Sequence, residues 1–550
     1  MKKILVNLLV FSLAAVLGSS CIKETFPMSD TATKEQLASS SSALSAMVGA
    51  IPAQMATGYL VYGKQTYETD MAWPGIMIAL DSVTGIIVDT GDDGYDWYSS
   101  YSNPAYGLGD NTYPTYIPWR TMYIFIKGAN DVISAVNEET ADAEQLNMLA
   151  QALTYRALFY YTAANMYEYK APTDPAVAAS YKPEKDIVGL TVPLVTEATT
   201  QDEAKSNPRV PIDEMYDFIM ADLDKAEKYI NDTKGGSLLP NLGVVYGLKA
   251  RAYMKMGSLG MAGAYDKAAE YAEKAILQQA GSPLTQAQWE SATTGFNNFA
   301  ANSNSWMWYL QYSTETIGNL NTFVAHMSSE ETWTAYGCAV GRGISKKIYD
   351  AIPDTDFRKH SWIDPLKYDY YDYQRNRDFF KHSSSNRILK PYASIKFRPA
   401  QGDYATYKVG GASEVPLMRV EEMYFIKAEA TALAGHISEA KQILNSIMQT
   451  RDPYYDCSDV ADNFFQSELY NQKMIEFWGE GIIFHDAKRI GVGMENGYPG
   501  TNVPGDFRLN CTGVCPAWNF VIPKTEINGN PALDGYNNPD PTEALEPWEE

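Results

Sequence analysis

The chain has 550 residues, 45% of them hydrophobic, and a formal charge of −23 at neutral pH. That length supplies a large core or more than one domain. So acidic a body is repelled by nucleic acid and by anionic lipid, and no nucleic-acid partner is expected.

Lys2 and Lys3 precede an apolar run of fourteen residues, Ile4 to Leu17, broken by Asn7 and Ser12. The run is too short to cross a bilayer core as a helix, which needs about 20 residues, and it reads as an export signal. Gly18, Ser19 and Ser20 followed by Cys21 resemble a bacterial lipobox, with Gly18 where Leu is usual. Residues 1–20 are then a signal peptide, and Cys21 is the lipid-modified N-terminus. Several acyl chains hold firmly where one holds only marginally. Four further cysteines remain, Cys338, Cys457, Cys511 and Cys515. An even number in an exported chain permits disulfides. The C-x3-C pair is a weak zinc signal with no His beside it, so a disulfide or free thiols are favoured over metal.

Residues 92–119, DDGYDWYSSYSNPAYGLGDNTYPTYIPW, hold eight Tyr or Trp among turn-forming residues. The stretch has no His, Cys, Lys or Arg. Four later segments read as amphipathic helices: 144–168, 214–230, 241–277 with a Gly-rich turn, and 421–449 with a turn at Gly435. Ala428, Ala432, Gly435, Ala440 and Leu444 alternate with larger apolar residues, the small–large interlocking of a tetratricopeptide helix pair. Tyr253, Gly257, Tyr265, Ala268 and Ala272 repeat the idea, at irregular spacing.

Between the helices, 80–120 and 280–420 are not helical by pattern. They are too rich in rings to read as disordered. SWMWYLQY, 305–312, reads as a strand with Trp306, Trp308 and Tyr312 on one face. Reactive constellations are missing. His326, His360, His382, His436 and His485 are scattered, and HExxH, GxSxG and P-loop motifs do not occur. Carboxylates such as Asp92, Asp93 and Asp96 are plentiful, and no pair stands out for glycosidase chemistry. Rings with Asp and Asn on Gly/Pro-rich loops are what a carbohydrate platform needs: Trp and Tyr cover the C–H face of a sugar while polar groups take its hydroxyls.

Several motifs in order resemble the SusD/RagB family of outer-membrane nutrient-binding lipoproteins. They are CIKETFP at the start, LTYRALFYYTAANMYE leading to GLTVPLVTE, then YDFIMADLDKAEKYI, and LKARAYMKMG with YDKAAEYAEKAI. PLMRVEEMYFIKAEATALAG, MIEFWGEGIIFHDAKRIG and FVIPKTEINGNP follow. The resemblance implies a mainly α fold, a tetratricopeptide-like helical scaffold at about 30–280 and 415–550. A loop-rich insertion with short strands is implied at about 280–415. It implies no catalysis and no cofactor, with a structural calcium left open. It implies a lipid-anchored protein at the cell surface of the outer membrane. Such a protein captures glycan, or in some members peptide, for a SusC-like TonB-dependent transporter. Carried onto this chain, the ligand residues are Trp97 with Tyr98 or Tyr101 for stacking and Asp81 and Asp96 for hydroxyls. A second wall comes from Trp306, Trp308, Tyr312 and Asn319, with Trp333 and Tyr336 beyond. YDYYDYQRNR, 368–377, serves either the ligand or the transporter. In the MIEFWGEGIIFHDAKRIG helix, Ile483 stands where the family has Arg, and Glu476, Glu480 and Arg489 are expected to form one charge network beneath the core.

Overall fold

The computed structural model describes residues 40–89, 96–231, 237–291, 293–315, 317–334, 336–338, 340–366 and 390–550. The signal segment, Cys21, Asp92, Asp93, His382 and the 368–377 stretch lie outside the described residues. The architecture is mainly α. Eleven longer helices carry it: α1 (Ser41–Met55), α2 (Ala72–Val83), α3 (Tyr113–Ala135), α4 (Ala143–Tyr167), α5 (Ile212–Tyr229), α6 (Leu242–Ser258), α7 (Ala264–Gln279), α8 (Val420–Leu433), α9 (Ile437–Met448), α10 (Phe465–Glu476) and α11 (Ile483–Ile490). From α3 to α9 each helix packs on the next in sequence, as in a helical-repeat stack. The four helical segments expected from periodicity coincide with α4, α5, α6–α7 and α8–α9.

The local causes are readable. Asp142 and Gln145 close a capping box at the start of α4. Between α8 and α9 the chain reverses at Gly435, whose φ of 96° suits a residue without Cβ. Gly257 lets α6 meet α7: a Cβ there would sit 2.6 Å from Cε1 of Tyr265. A buried ion pair, Arg156 Nε to Asp222 Oδ2 at 2.7 Å, ties α4 to α5.

Strands are few and short, and each pairs antiparallel with one other. β1 (Leu190–Pro193) pairs with β2 (Arg209–Pro211), β3 (Trp306–Gln311) with β4 (Glu414–Arg419), and β5 (Met494–Glu495) with β6 (Asn510–Cys511). β3 is the expected strand, but its pairing slips at Trp308 and the face carrying Trp306 and Trp308 is covered. Trp306, Met307, Trp308 and Leu310 are all buried. One large apolar core runs from Leu44 to Leu533 through the scaffold and the loop-rich region alike, with a small separate cluster of Tyr169, Tyr181 and Ile187 beside it among the described residues.

The expected MIEFWGEGIIFHDAKRIG helix is two helices. Gly479 and Gly481, at φ 79° and 72°, break it between α10 and α11. The expected single network is also two. Glu476 accepts from Arg451, Arg419 and Arg358, and Glu480 from Arg419 and Lys396. Arg489 instead pairs with Glu429 and Asp486, which Lys473 also bridges. The glycine break turns α11 away from the first network.

Candidate functional site

Three segments converge beside the α1–α2 connection: residues 58–70, the 96–113 loop before α3, and 318–342. The first is pinned from below. Asp70 is fully buried, and its carboxylate accepts from the backbone N–H groups of Val61 and Tyr62 at 3.0 Å. Tyr59 is held in the left-handed region at φ 58°, donates its N–H to the Asp70 carbonyl, and donates its hydroxyl to Glu68 at 2.6 Å. Burial and the Glu68 carboxylate push the Tyr59 phenol far above its usual range. Gln65 holds the other Glu68 oxygen at 2.9 Å.

On this frame lies a run of half-exposed rings. Tyr67 stacks on Tyr113 with centroids 4.2 Å apart and planes 9° from parallel. Tyr62 tilts against Tyr67 at 5.3 Å and against Tyr116 at 6.0 Å, and the Arg120 guanidinium lies 5.9 Å from the Tyr116 ring. On the other side, half-buried Trp97 meets Tyr336 edge-on at 6.3 Å, and Tyr336 stacks on His326 at 4.9 Å. Burial, and behind it the nearby Asp96 carboxylate, raises the Tyr113 phenol above its usual range. The rings therefore fall in two neighbouring groups that together make the platform, Tyr62, Tyr67, Tyr113 and Tyr116 on one side and Trp97 with Tyr336 on the other.

A buried guanidinium organises the Trp97 side. Arg342 donates to Asp96 Oδ1 at 2.9 Å and to the carbonyls of His326 and Tyr336, and it lies 5.2 Å from the Tyr98 ring. Asp96 also accepts from the Tyr98 N–H at 2.9 Å. Asp89 sits 3.5 Å from Arg342, and burial followed by the Asp96 charge raises its carboxyl well above the usual range. Burial and Arg342 hold His326 well below the ordinary imidazole range, so it is neutral.

The residues expected from the sequence divide sharply. Trp97 and Asp96 lie at the platform, and Asn319 is exposed in a loop whose Asn321 packs against Gly58. The others are corrections. Tyr98 and Tyr101 are buried beneath the platform, Tyr101 donating to the Pro114 carbonyl at 2.7 Å. Trp306 packs among Phe296 and Tyr309 in the core. Trp308 donates to the Leu238 carbonyl beside Tyr155. Tyr312 is buried and accepts from the Phe323 N–H. None of these five rings presents a face to solvent, so none offers a stacking surface. Asp81 is fully buried on α2, accepts from the Gly481 N–H at 3.1 Å, and is pushed up to about 8 chiefly by desolvation. It clamps α2 to the glycine break rather than meeting a hydroxyl.

Sequence reasoning missed Tyr59, Tyr62 and Tyr67. Their stretch, GYLVYGKQTYETD, carries the same mixture of Tyr and turn residues that singled out 92–119. Among the described residues no group of three or more His, Cys, Asp or Glu side chains is placed to hold a metal, and no helix is long and apolar enough to cross a membrane.

Residues 27–254 match a family described as starch-binding and associating with the outer membrane, and residues 285–540 match the SusD family. The chain is 22% identical over 455 residues to SusD-like protein P2 of Formosa agariphila, covering 78% of this chain and 82% of that one. A SusD superfamily protein of Bacteroides thetaiotaomicron has the same fold, with a TM-score of 0.67 at 18% identity, covering 91% of this chain and 100% of its own. Surface glycan-binding protein A of the same organism, solved in complex with laminarihexaose, gives 0.62 at 15% identity, covering 90% and 98%.

Proposed function

The chain belongs to the SusD/RagB family, and from that premise we propose that it is a surface glycan-binding protein. In this reading it captures oligo- or polysaccharide for a SusC-like TonB-dependent transporter and is anchored in the outer membrane through Cys21. The observation that carries the binding part is the platform of half-exposed rings, Tyr62 and Tyr67 on the pinned 58–70 segment, Trp97 beside Arg342, and Tyr113 and Tyr116 at the start of α3. Tyr and Trp offer a sugar face a large apolar contact with few rotatable bonds to freeze. The pinning by Asp70, Tyr59 and Arg342 sets the rings before the ligand arrives. Exposed Asn319 supplies a hydroxyl partner at the margin.

The platform's carboxylates favour holding over hydrolysis. Asp96 is engaged by Arg342, Glu68 by Tyr59 and Gln65, and Asp70 by backbone N–H groups. A glycosidase needs an acid and a second carboxylate facing the scissile bond, and these are committed to the frame. A two- or three-ring platform of this kind binds in the micromolar to millimolar range, tightened by chain length and by the transporter.

The test is native affinity electrophoresis of the chain from residue 22 through gels containing laminarin, starch, fructan or host mucin glycans. Tyr67→Ala and Trp97→Ala run alongside. Retardation by one glycan that both variants weaken supports the reading. Retardation unchanged in both variants moves the site off the platform. No retardation by any glycan turns the reading to the peptide ligands that other members of the family take.

A further inference from the structure

The ring group Tyr62, Tyr67, Tyr113 and Tyr116 lies where the charge of the chain reverses. The protein carries 67 acidic and 44 basic residues. Residues 41–67 and 111–130, which supply α1, these four rings and most of α3, contain no Asp or Glu, where the average composition would place about six. Their only charged side chains are Lys64, Arg120 and Lys127, all basic and all exposed. Lys127 pairs with Asp131 at 2.5 Å. Lys64 and Arg120 enter no ion pair among the described residues. The acids that flank the two stretches are committed or set apart. Glu68 accepts from Tyr59 and Gln65, and buried Asp70 accepts from the Val61 and Tyr62 N–H groups. Asp110 precedes the start of α3, and Arg120 stands about two turns along it.

Tyr113, Tyr116 and Arg120 fall at i, i+3 and i+7, on one face of α3. The Arg120 guanidinium ends this row, 5.9 Å from the Tyr116 ring centroid. Lys64 follows Gly63, at φ 67°, in the segment between Tyr62 and Tyr67. Each segment that brings rings to this group thus brings an exposed cation as well. A guanidinium presents a planar fork of N–H donors that grips an oxyanion through two bonds. A polyanion nearing a body of formal charge −23 is repelled. Salt confines that repulsion to about 8 Å, so clearing acids from the immediate surroundings of the rings removes the part that counts. A neutral sugar would instead use nearby carboxylates as acceptors for its hydroxyls, and here they are missing. We infer that these rings take an anionic polysaccharide, one whose sugars carry carboxylate or sulfate groups, with Arg120 receiving the oxyanion and Lys64 adding charge beside the rings. The inference rests on the glycan-binding reading above and narrows it.

The test is isothermal titration of the chain from residue 22 with matched oligosaccharides. One pair is oligogalacturonate and its methyl ester, a second is carrageenan oligomers and their desulfated form, and laminarin oligomers are the neutral reference. Within each pair the backbone is shared and only the charge differs. One charged oligomer is expected to bind, with its uncharged counterpart about tenfold weaker, and the pair that responds tells carboxylate from sulfate. Arg120→Gln should weaken the charged ligand about fivefold, and the double variant Lys64→Gln, Arg120→Gln about tenfold. Raising NaCl from about 20 to about 200 mM should weaken it as well. Both side chains are exposed, so the variants are expected to melt with the parent. Equal binding of charged and uncharged partners would overturn the inference, as would charged-ligand binding that the double variant leaves intact, or no binding of either charged oligomer. Laminarin binding that Tyr67→Ala abolishes and the double variant retains would overturn it while leaving the platform in place. Charged-ligand binding weakened by the double variant but not by Tyr67→Ala would overturn the ring platform on which the inference rests.

Discussion

Replacing Asp81 by Asn separates a clamp from a ligand residue. Asp81 has no solvent exposure, one oxygen accepts from the Gly481 N–H, and the other has no hydrogen-bond partner. Desolvation raises its pKa to about 8, with the Gly481 N–H and Lys396 pulling the other way and Glu480 adding to the rise. The folded state thus keeps a proton that the unfolded chain releases near pH 3.9. A raised folded pKa means this group's contribution is full below about pH 4 and is lost as pH rises through about 8. At pH 7 the unfolded aspartate is about three powers of ten past its midpoint, so retaining the proton costs about 4 kcal/mol, an upper figure that local relaxation reduces. Asn carries the neutral shape with no proton to retain. Asp81→Asn is therefore expected to stabilise the protein by about 1–3 kcal/mol at pH 7–8 and to change little at pH 4. Urea unfolding midpoints at a series of pH values read this directly, with affinity electrophoresis as control. A variant less stable at pH 8 than the parent would mean that the carboxylate is ionised and its charge is used. Lost glycan retardation with unchanged stability would return Asp81 to the ligand.

The two kinds of aromatic residue should part company. Tyr67→Ala is expected to weaken glycan retardation about tenfold with a small stability change, the scale of one lost stacking contact near 1.4 kcal/mol. Trp306→Ala should cost about 3–5 kcal/mol in unfolding free energy through the cavity it leaves. Arg342→Met strands Asp96 and Asp89 and frees the His326 and Tyr336 carbonyls. A loss of about 3–5 kcal/mol is expected by denaturation, with weaker retardation because Trp97 loses its support. Gly257→Ala drives a methyl into the Tyr265 ring and should cost about 1–3 kcal/mol, read as an earlier urea midpoint with binding retained.

How much of this was legible follows from what each signal measures. α5, α7 and α9 were legible because one face of each is buried, which imprints a 3.6-residue period, whereas α4, buried on every side from Ala152 to Tyr167, was legible from its length and its small residues at helical spacing. α2 has no such period, since every residue from Ala72 to Val83 is buried, and it is only twelve residues long with Pro74 and Gly75 in its first turn, which read as a turn rather than a helix. The α10–α11 break was visible as GEG yet was absorbed into a helix, because the charged residues on either side keep helical spacing while Gly479 and Gly481 take left-handed φ.

The site divides along the same line. Composition shows which loops are rich in rings, and it singled out the stretch that holds Trp97, which is half-exposed. Composition cannot show which side of a ring the rest of the chain will cover. A period of two assigns Trp306 and Trp308 to a common face, but it assumes that the opposite face meets water. In β3 that face carries Met307, which is buried, and Tyr309, half-buried against Phe299, while the Trp306–Trp308 face is itself packed into the core. The exposed rings instead sit where the backbone is held outward by buried polar anchors, Asp70 under Tyr62 and Arg342 under Trp97. These anchors are linked to their rings through contacts as distant as 246 residues along the chain. A ring stays open to solvent here because a buried charge elsewhere in the sequence fixes its loop, and that dependence is a property of the fold rather than of any local stretch.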